Sequence, residues 1–106
     1  MTTDDMDTAD VLDAAADYIR IHGWRKHDYG NDGGPRCVLG ALKSVGDFGE
    51  WRHVTNQPPA LALLERIGKP VEKWNDARRR TASEIIDALM SCAADLRLRS
   101  AANGEG

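Results

Sequence analysis

Thr81-Ala82-Ser83-Glu84-Ile85-Ile86-Asp87-Ala88-Leu89-Met90-Ser91-Cys92-Ala93-Ala94-Asp95-Leu96 is the stretch that decides the fold class. Its first four residues form a Thr-x-x-Glu capping box. In that motif the threonine hydroxyl accepts from the glutamate's backbone N–H, and the glutamate reaches back to the threonine's own N–H. At about 100° per residue, Ala82, Ile85, Ile86, Leu89, Ala93 and Leu96 then fall on one arc, which makes this a core helix.

The same punctuation recurs toward the N-terminus. In Cys37-Val38-Leu39-Gly40-Ala41-Leu42, helical spacing brings Cys37, Gly40, Ala41 and Ser44 within roughly one quadrant, so another helix can approach closely there. Pro35 suits the first turn of this helix, and Gly46 ends it. Asp7 or Thr8 is the expected cap of a first helix with Val11, Leu12, Ala15, Tyr18, Ile19 and His22 on one arc and Asp10, Asp13, Asp17 and Arg20 opposite. Gly23 supplies a left-handed stop, after which Trp24 folds back onto Ile19. A loop rich in Gly, Asn and Asp runs from Arg25 to Gly34, with a short hairpin around 27–37 as a minor alternative. Phe48 and Trp51 sit in a connecting segment. After Pro58-Pro59 a third helix points Ala60, Leu63, Leu64 and Ile67 inward and ends at Gly68-Lys69-Pro70, followed by a single turn around Val71 to Trp74.

Composition bounds the possibilities. The chain has 106 residues, 42% hydrophobic and 29% charged, enough for one domain with one modest core. Apolar runs are too short for a membrane span, and the acidic start lacks the basic opening of a secretory signal, so a cytoplasmic location is expected. There Cys37 and Cys92 stay reduced. The net charge of −3 argues against nucleic-acid binding through the overall field. Charge is uneven, however: six aspartates and no Lys or Arg occupy the first seventeen residues, whereas Arg78-Arg79-Arg80, Arg97 and Arg99 crowd the later half.

The order Ala-Ala-Asp-x-Ile, Gly23-Trp24, Cys37-x-x-Gly40-Ala41-Leu42, Trp74-Asn75-Asp76-Ala77, Arg80-Thr81-Ala82-x-Glu84-Ile85-Ile86 resembles a family of small proteins of unknown function from actinobacteria and their phages. The resemblance spans roughly residues 9–94. It implies a compact, mostly helical, cytoplasmic domain of actinobacterial or phage source and transfers no catalytic residue. Relatives often carry Pro at the position of Val38 and a less basic link at Arg78-Arg79.

Several constellations invite a chemical reading, each beside a plainer one. Cys37 at a helix N-terminus suits a lowered thiol pKa, and His27 or His53 as base with Asp76 as orienter completes a Cys-His-Asp arrangement. Packing as a small buried hydrophobe is the simpler account. Cys37, Cys92 and two of His22, His27 and His53 have the ligand types for zinc but lack the close pairs that organise such a site. Trp74-Asn75-Asp76 reads either as an exposed recognition patch, with Trp51 beside it, or as a core-closing Trp whose neighbours bond backbone groups in a turn. Arg78-Arg79-Arg80, just before a helix N-terminus, suits a phosphate or an acidic partner segment. The acidic arc of Asp10, Asp13 and Asp17 reads as a water-facing surface or as a lure for a basic partner.

The expectation is one all-α domain of four main helices with one or two short turns, over residues 7–99, between mobile tails at 1–6 and 100–106. Its core is expected around Val11, Ile19, Val38, Leu42, Leu64, Ile85, Ile86 and Leu89. Its expected role is that of a small non-catalytic accessory or regulatory protein. It would bind another protein ahead of nucleic acid, a host protein if phage-encoded, through Trp51, Trp74, Arg78, Arg79 and Arg80. No catalytic residue, metal site, cofactor or membrane partner is expected, and the oligomeric state is open. The alternatives are a cysteine-dependent enzyme using Cys37 and a nucleic-acid accessory using Arg78, Arg79 and Arg80.

Overall fold

A computed structural model of the chain describes residues 2–28, 30, 31, 33–46 and 57–104. Phe48, Trp51 and His53 lie outside the described residues. Five helices follow one another: α1 (Thr2–His22), α2 (Val38–Gly46), α3 (Pro58–Ile67), α4 (Val71–Asn75) and α5 (Ala82–Gly104). Four are main helices and α4 is little more than one turn. Among the described residues there is no strand, only an isolated bridge between Trp24 and Arg36. The domain is all-α, as the periodicities predict.

The two long helices, α1 and α5, run antiparallel and share the largest contact in the fold. Arg97, late in α5, reaches Asp10 (2.7 Å) and Asp13, early in α1, while Arg20 at the other end donates to the Met90 sulfur at 3.4 Å. Ala9, Leu12, Ala15, Ala16 and Ile19 of α1 and Ile85, Leu89, Cys92, Ala93 and Leu96 of α5 enter one continuous core. Small side chains dominate the α1 contribution, which lets the helices pack closely.

Against this pair α2 inserts five consecutive buried residues, Val38 to Leu42. A helix buried all round its first turn and a half cannot show a polar face there, and so it reads as an apolar run. In α3, Pro58 and Pro59 take the first positions, and Gly68 closes the helix with φ of 74°, its N–H donating to Leu64 O at 2.8 Å. The α5 capping box forms as its sequence predicts: Thr81 N–H donates to Glu84 Oε1 (2.9 Å) and Glu84 N–H to Thr81 Oγ1 (3.2 Å).

Three expectations need correction. α1 opens at Thr2 rather than at a cap on Asp7 or Thr8, and α5 continues to Gly104; aspartates in an opening turn favour the helix dipole, and alanines extend a helix at little cost. α2 starts at Val38, not at Pro35. Arg36 N–H donates to Gly23 O and Arg36 O accepts from Arg25 N–H (both 3.3 Å), which holds the segment extended until Cys37 O accepts the first helical bond from Ala41. In α3 the fully buried leucine is Leu63, and Leu64 is 39% exposed. Both lie within reach of the Ala60 and Ile67 face, so the rotation of the helix is set by its neighbours.

The loop between α1 and α2 is pinned from both sides. The Tyr18 hydroxyl donates to Gly34 O (2.9 Å) and accepts from Gly33 N–H (2.8 Å). Gly30 has φ of 72°, and a Cβ there would lie 2.1 Å from Pro35 O, so only glycine fits. On the inner side stands Asn75, 1% exposed. Its Oδ1 accepts from Trp24 Nε1 (2.7 Å) and from Val38 N–H (3.0 Å), and its Nδ2 donates to Arg25 O (3.2 Å) and Asp76 Oδ1 (2.9 Å). Every hydrogen-bonding site of the amide is used.

Asn75→Ala strands the Trp24 and Val38 donors, so urea denaturation should show a loss of about 3 kcal/mol or more. Arg97→Ala breaks two solvent-accessible ion pairs and should cost less than about 1 kcal/mol. Equal losses for the two variants would contradict this ranking.

Candidate functional site

A crevice of about 270 Å³ opens where the loop after α1, the start of α2 and the short α4 meet. His27 and Asp28 come from the loop, Cys37, Val38 and Leu39 from the start of α2, and Glu72, Asn75 and Asp76 from α4 and its exit. The structure thus gathers Cys37, His27 and Asp76, three residues far apart in sequence. The expectation of a thiol sealed among hydrocarbon side chains holds only in part. Cys37 is 7% exposed, yet it lines an opening flanked by a histidine.

Cys37 is the N-cap of α2, and its Sγ accepts from Gly40 N–H at 3.4 Å. Desolvation is the strongest influence on this thiol and pushes its pKa above the ordinary value. The N–H groups of Gly40 and Leu39 pull the other way, the Asp76 charge adds to the rise, and Arg36 opposes it. The balance leaves a neutral thiol at neutral pH, the opposite of what a resting nucleophile requires.

Asp76 behaves differently. Partial burial acts against its charge, but the His27 N–H (2.8 Å), the Asn75 amide and the nearby His27 and Lys26 outweigh it, so its pKa falls below the usual 3.8. His27 sits with φ of 76°, unusual for a residue with a Cβ. The bond from its N–H to Asp76 holds it there, and the imidazole Nδ1 stands 3.7 Å from Asp76 Oδ2.

The remaining predicted site residues part company. Trp74 is 7% exposed and closes the core, so it offers no ring to a partner. Asn75 and Asp76 bond backbone groups beside it, the plainer of the two readings above. Arg80 lies over the Trp74 ring (4.9 Å to the centroid), donates through Nε to Trp74 O (2.9 Å) and pairs with Glu84 at 3.6 Å. The anion position at the head of α5 is taken by Glu84 itself, which weakens the expectation that three guanidinium groups and free N–H donors converge there. Arg78 and Arg79 are exposed. Trp51 lies outside the described residues.

The acidic arc is spent on the protein itself: Asp10 and Asp13 on Arg97, Asp17 on Arg20. Cys92 lines a separate crevice with Glu65, Arg66, Asp95 and Arg99, remote in the lining from Cys37. Among the described residues no group of three or more His, Cys, Asp or Glu side chains could hold a metal ion. Sequence reasoning missed the amide hub at Asn75 and the clamp formed by Lys26, whose Nζ donates to the carbonyls of Ala77 (2.7 Å) and Arg78 (3.1 Å). A polar residue between Trp74 and a helix exit was the one available signal for the hub.

Two outcomes follow from this electrostatic arrangement. The lowered folded-state pKa of Asp76 contributes stability at pH above 3.8 that is lost as pH falls through the folded value. Its carboxyl carbon should therefore titrate by NMR with a midpoint below 3.8. His27→Gly removes a strained left-handed residue and should leave stability unchanged or raise it by up to about 1 kcal/mol. A marked loss on thermal unfolding would show that the imidazole contacts matter more than the backbone.

The pattern of the family of unknown function DUF6197 matches residues 3–95. No curated protein and no solved structure matches the chain. The matched span takes in α1 from its second residue, the crevice, the basic turn and most of α5. The chain belongs to DUF6197, a family of unknown function.

Proposed function

We propose that the protein is a small non-catalytic accessory or regulatory module that binds another protein, with the basic turn at 77–80 as its contact surface. The supporting observation is the way that turn is held. Lys26 ties down two of its carbonyls, Arg80 N–H donates to Ala77 O (3.0 Å), and the Arg80 side chain is committed to Trp74 and Glu84. Arg78 and Arg79 therefore project from a fixed backbone, which lowers the entropy lost when a carboxylate-rich segment engages them. The reading extends to a cytoplasmic setting, the host's if a phage encodes the chain.

Cross-linking in actinobacterial lysate tests it. The double variant R78E/R79E should lose a discrete protein adduct that wild type and K69E both retain, with melting temperature shifted by less than about 2 °C. An adduct unaffected by the double variant, or tight salt-sensitive binding of duplex DNA by the wild type, overturns the proposal.

One observation favours a second reading, a cysteine-dependent enzyme: Cys37 shares its crevice with His27 and Asp76. Iodoacetamide separates the two. The accessory reading expects slow alkylation of Cys37 at pH 6 that accelerates only toward alkaline pH. Rapid alkylation at pH 6 that disappears in His27→Ala would favour the enzyme.

A further inference from the structure

Met90 stands where α5 passes the last turn of α1, and it plays no part in the basic turn or the crevice. Methionine ordinarily fills gaps in a core. This one is 46% exposed, so its side chain meets water. Arg20 Nη2 donates to Met90 Sδ at 3.4 Å, while Nη1 of the same guanidinium donates to Asp17. The carboxylate thus orients the guanidinium, and one charged N–H is aimed at the sulfur.

That pairing is poorly matched. A thioether sulfur is a weak acceptor, and a guanidinium N–H gains most from an oxygen that carries negative charge. Oxidation of the sulfur supplies such an oxygen at the same place, with its donor already in position. Sulfoxide formation commonly harms a protein by setting a polar group among apolar side chains. Here the polar group finds a cation. The sulfoxide sulfur is also a stereocentre, and a donor fixed on one side of it favours one of the two epimers.

We propose that Met90 is a site of reversible oxidation by a peroxide, with Arg20 as the group that receives the new oxygen. A sulfur lone pair attacks one peroxide oxygen and forms the S–O bond as the O–O bond breaks. The departing hydroxide takes the proton left on the first oxygen and leaves as water. Methionine loses two electrons and the peroxide gains them. A sulfoxide reductase reverses the change: two thiols supply the electrons and become a disulfide, and the oxygen leaves as water. The oxidised pair links α5 to the end of α1, at the opposite end of the seam from Arg97. The site is independent of the basic turn and stands or falls separately from it.

Hydrogen peroxide treatment of the full chain tests the assignment, with Met90→Leu treated in parallel to subtract oxidation at Met1 and Met6. Peptide mass mapping follows the sulfoxide at position 90, digestion by the two epimer-specific sulfoxide reductases reports its handedness, and thermal unfolding reports its consequence. Met90 should oxidise fully in the folded chain, with an epimer ratio at least about twofold from even. The melting temperature should be no lower than that of the unoxidised chain once the Met90→Leu shift is subtracted. In Arg20→Gln the ratio should return to even, and the sulfoxide should lower the melting temperature by about 2 °C or more. Arg20→Lys, which keeps a cation, should fall between. Protection of Met90 from peroxide until the chain unfolds, an even epimer ratio in the wild type, or an equal melting shift in wild type and Arg20→Gln overturns the assignment.

Discussion

Asn75 is the constraint on which the rest of this small domain depends. An amide withdrawn from water is tolerated only when its donors and acceptors find partners, and here both Nδ2 hydrogens and two acceptor directions of Oδ1 are engaged. The partners belong to three otherwise separate pieces: the chain leaving α1, the first turn of α2 and the exit of α4. Hydrophobic burial brings these pieces together without directional preference. The amide selects one arrangement among the many that would bury comparable area.

That arrangement creates the crevice. Once Asn75 caps Val38 and turns Asp76 toward the loop, His27 is drawn into a left-handed conformation and Cys37 is left at the head of α2 beside the opening. The outcome is chemically asymmetric. Asp76 is favoured as a carboxylate by donors and cations around it, while Cys37 is favoured as a neutral thiol because little water reaches it. Proximity of Cys, His and Asp is therefore not equivalent to activation. A helix N-terminus lowers a thiol's pKa only when desolvation does not exceed it.

The basic turn and the acidic crevice are neighbours, joined through Lys26 and Asp76. Lys26 donates to two of the turn's carbonyls and lies 5.5 Å from the Trp24 ring centroid, so a single side chain braces both regions. Asp10 and Asp13 of α1 are paired with Arg97 of α5, and Asp17 with Arg20.

The sequence by itself determined the helices. The α5 capping box, the prolines that open α3, the glycines after α1 and α3 and the periodic apolar arcs act through bonds and contacts only a few residues apart, so they are visible in a local window. It left Trp74 between an exposed recognition patch and a ring closing the core, and only its burial in the structure decides for the core. The tertiary structure decided where α2 begins, which of Leu63 and Leu64 turns inward, and which cations meet the α1 aspartates. It alone decided that Cys37, His27 and Asp76 share an opening. The start of α2 and the shared opening depend on bonds from Asn75 and Tyr18 to groups distant along the chain, and Arg97 reaches Asp10 and Asp13 from the far end of α5; no spacing along the chain encodes such meetings.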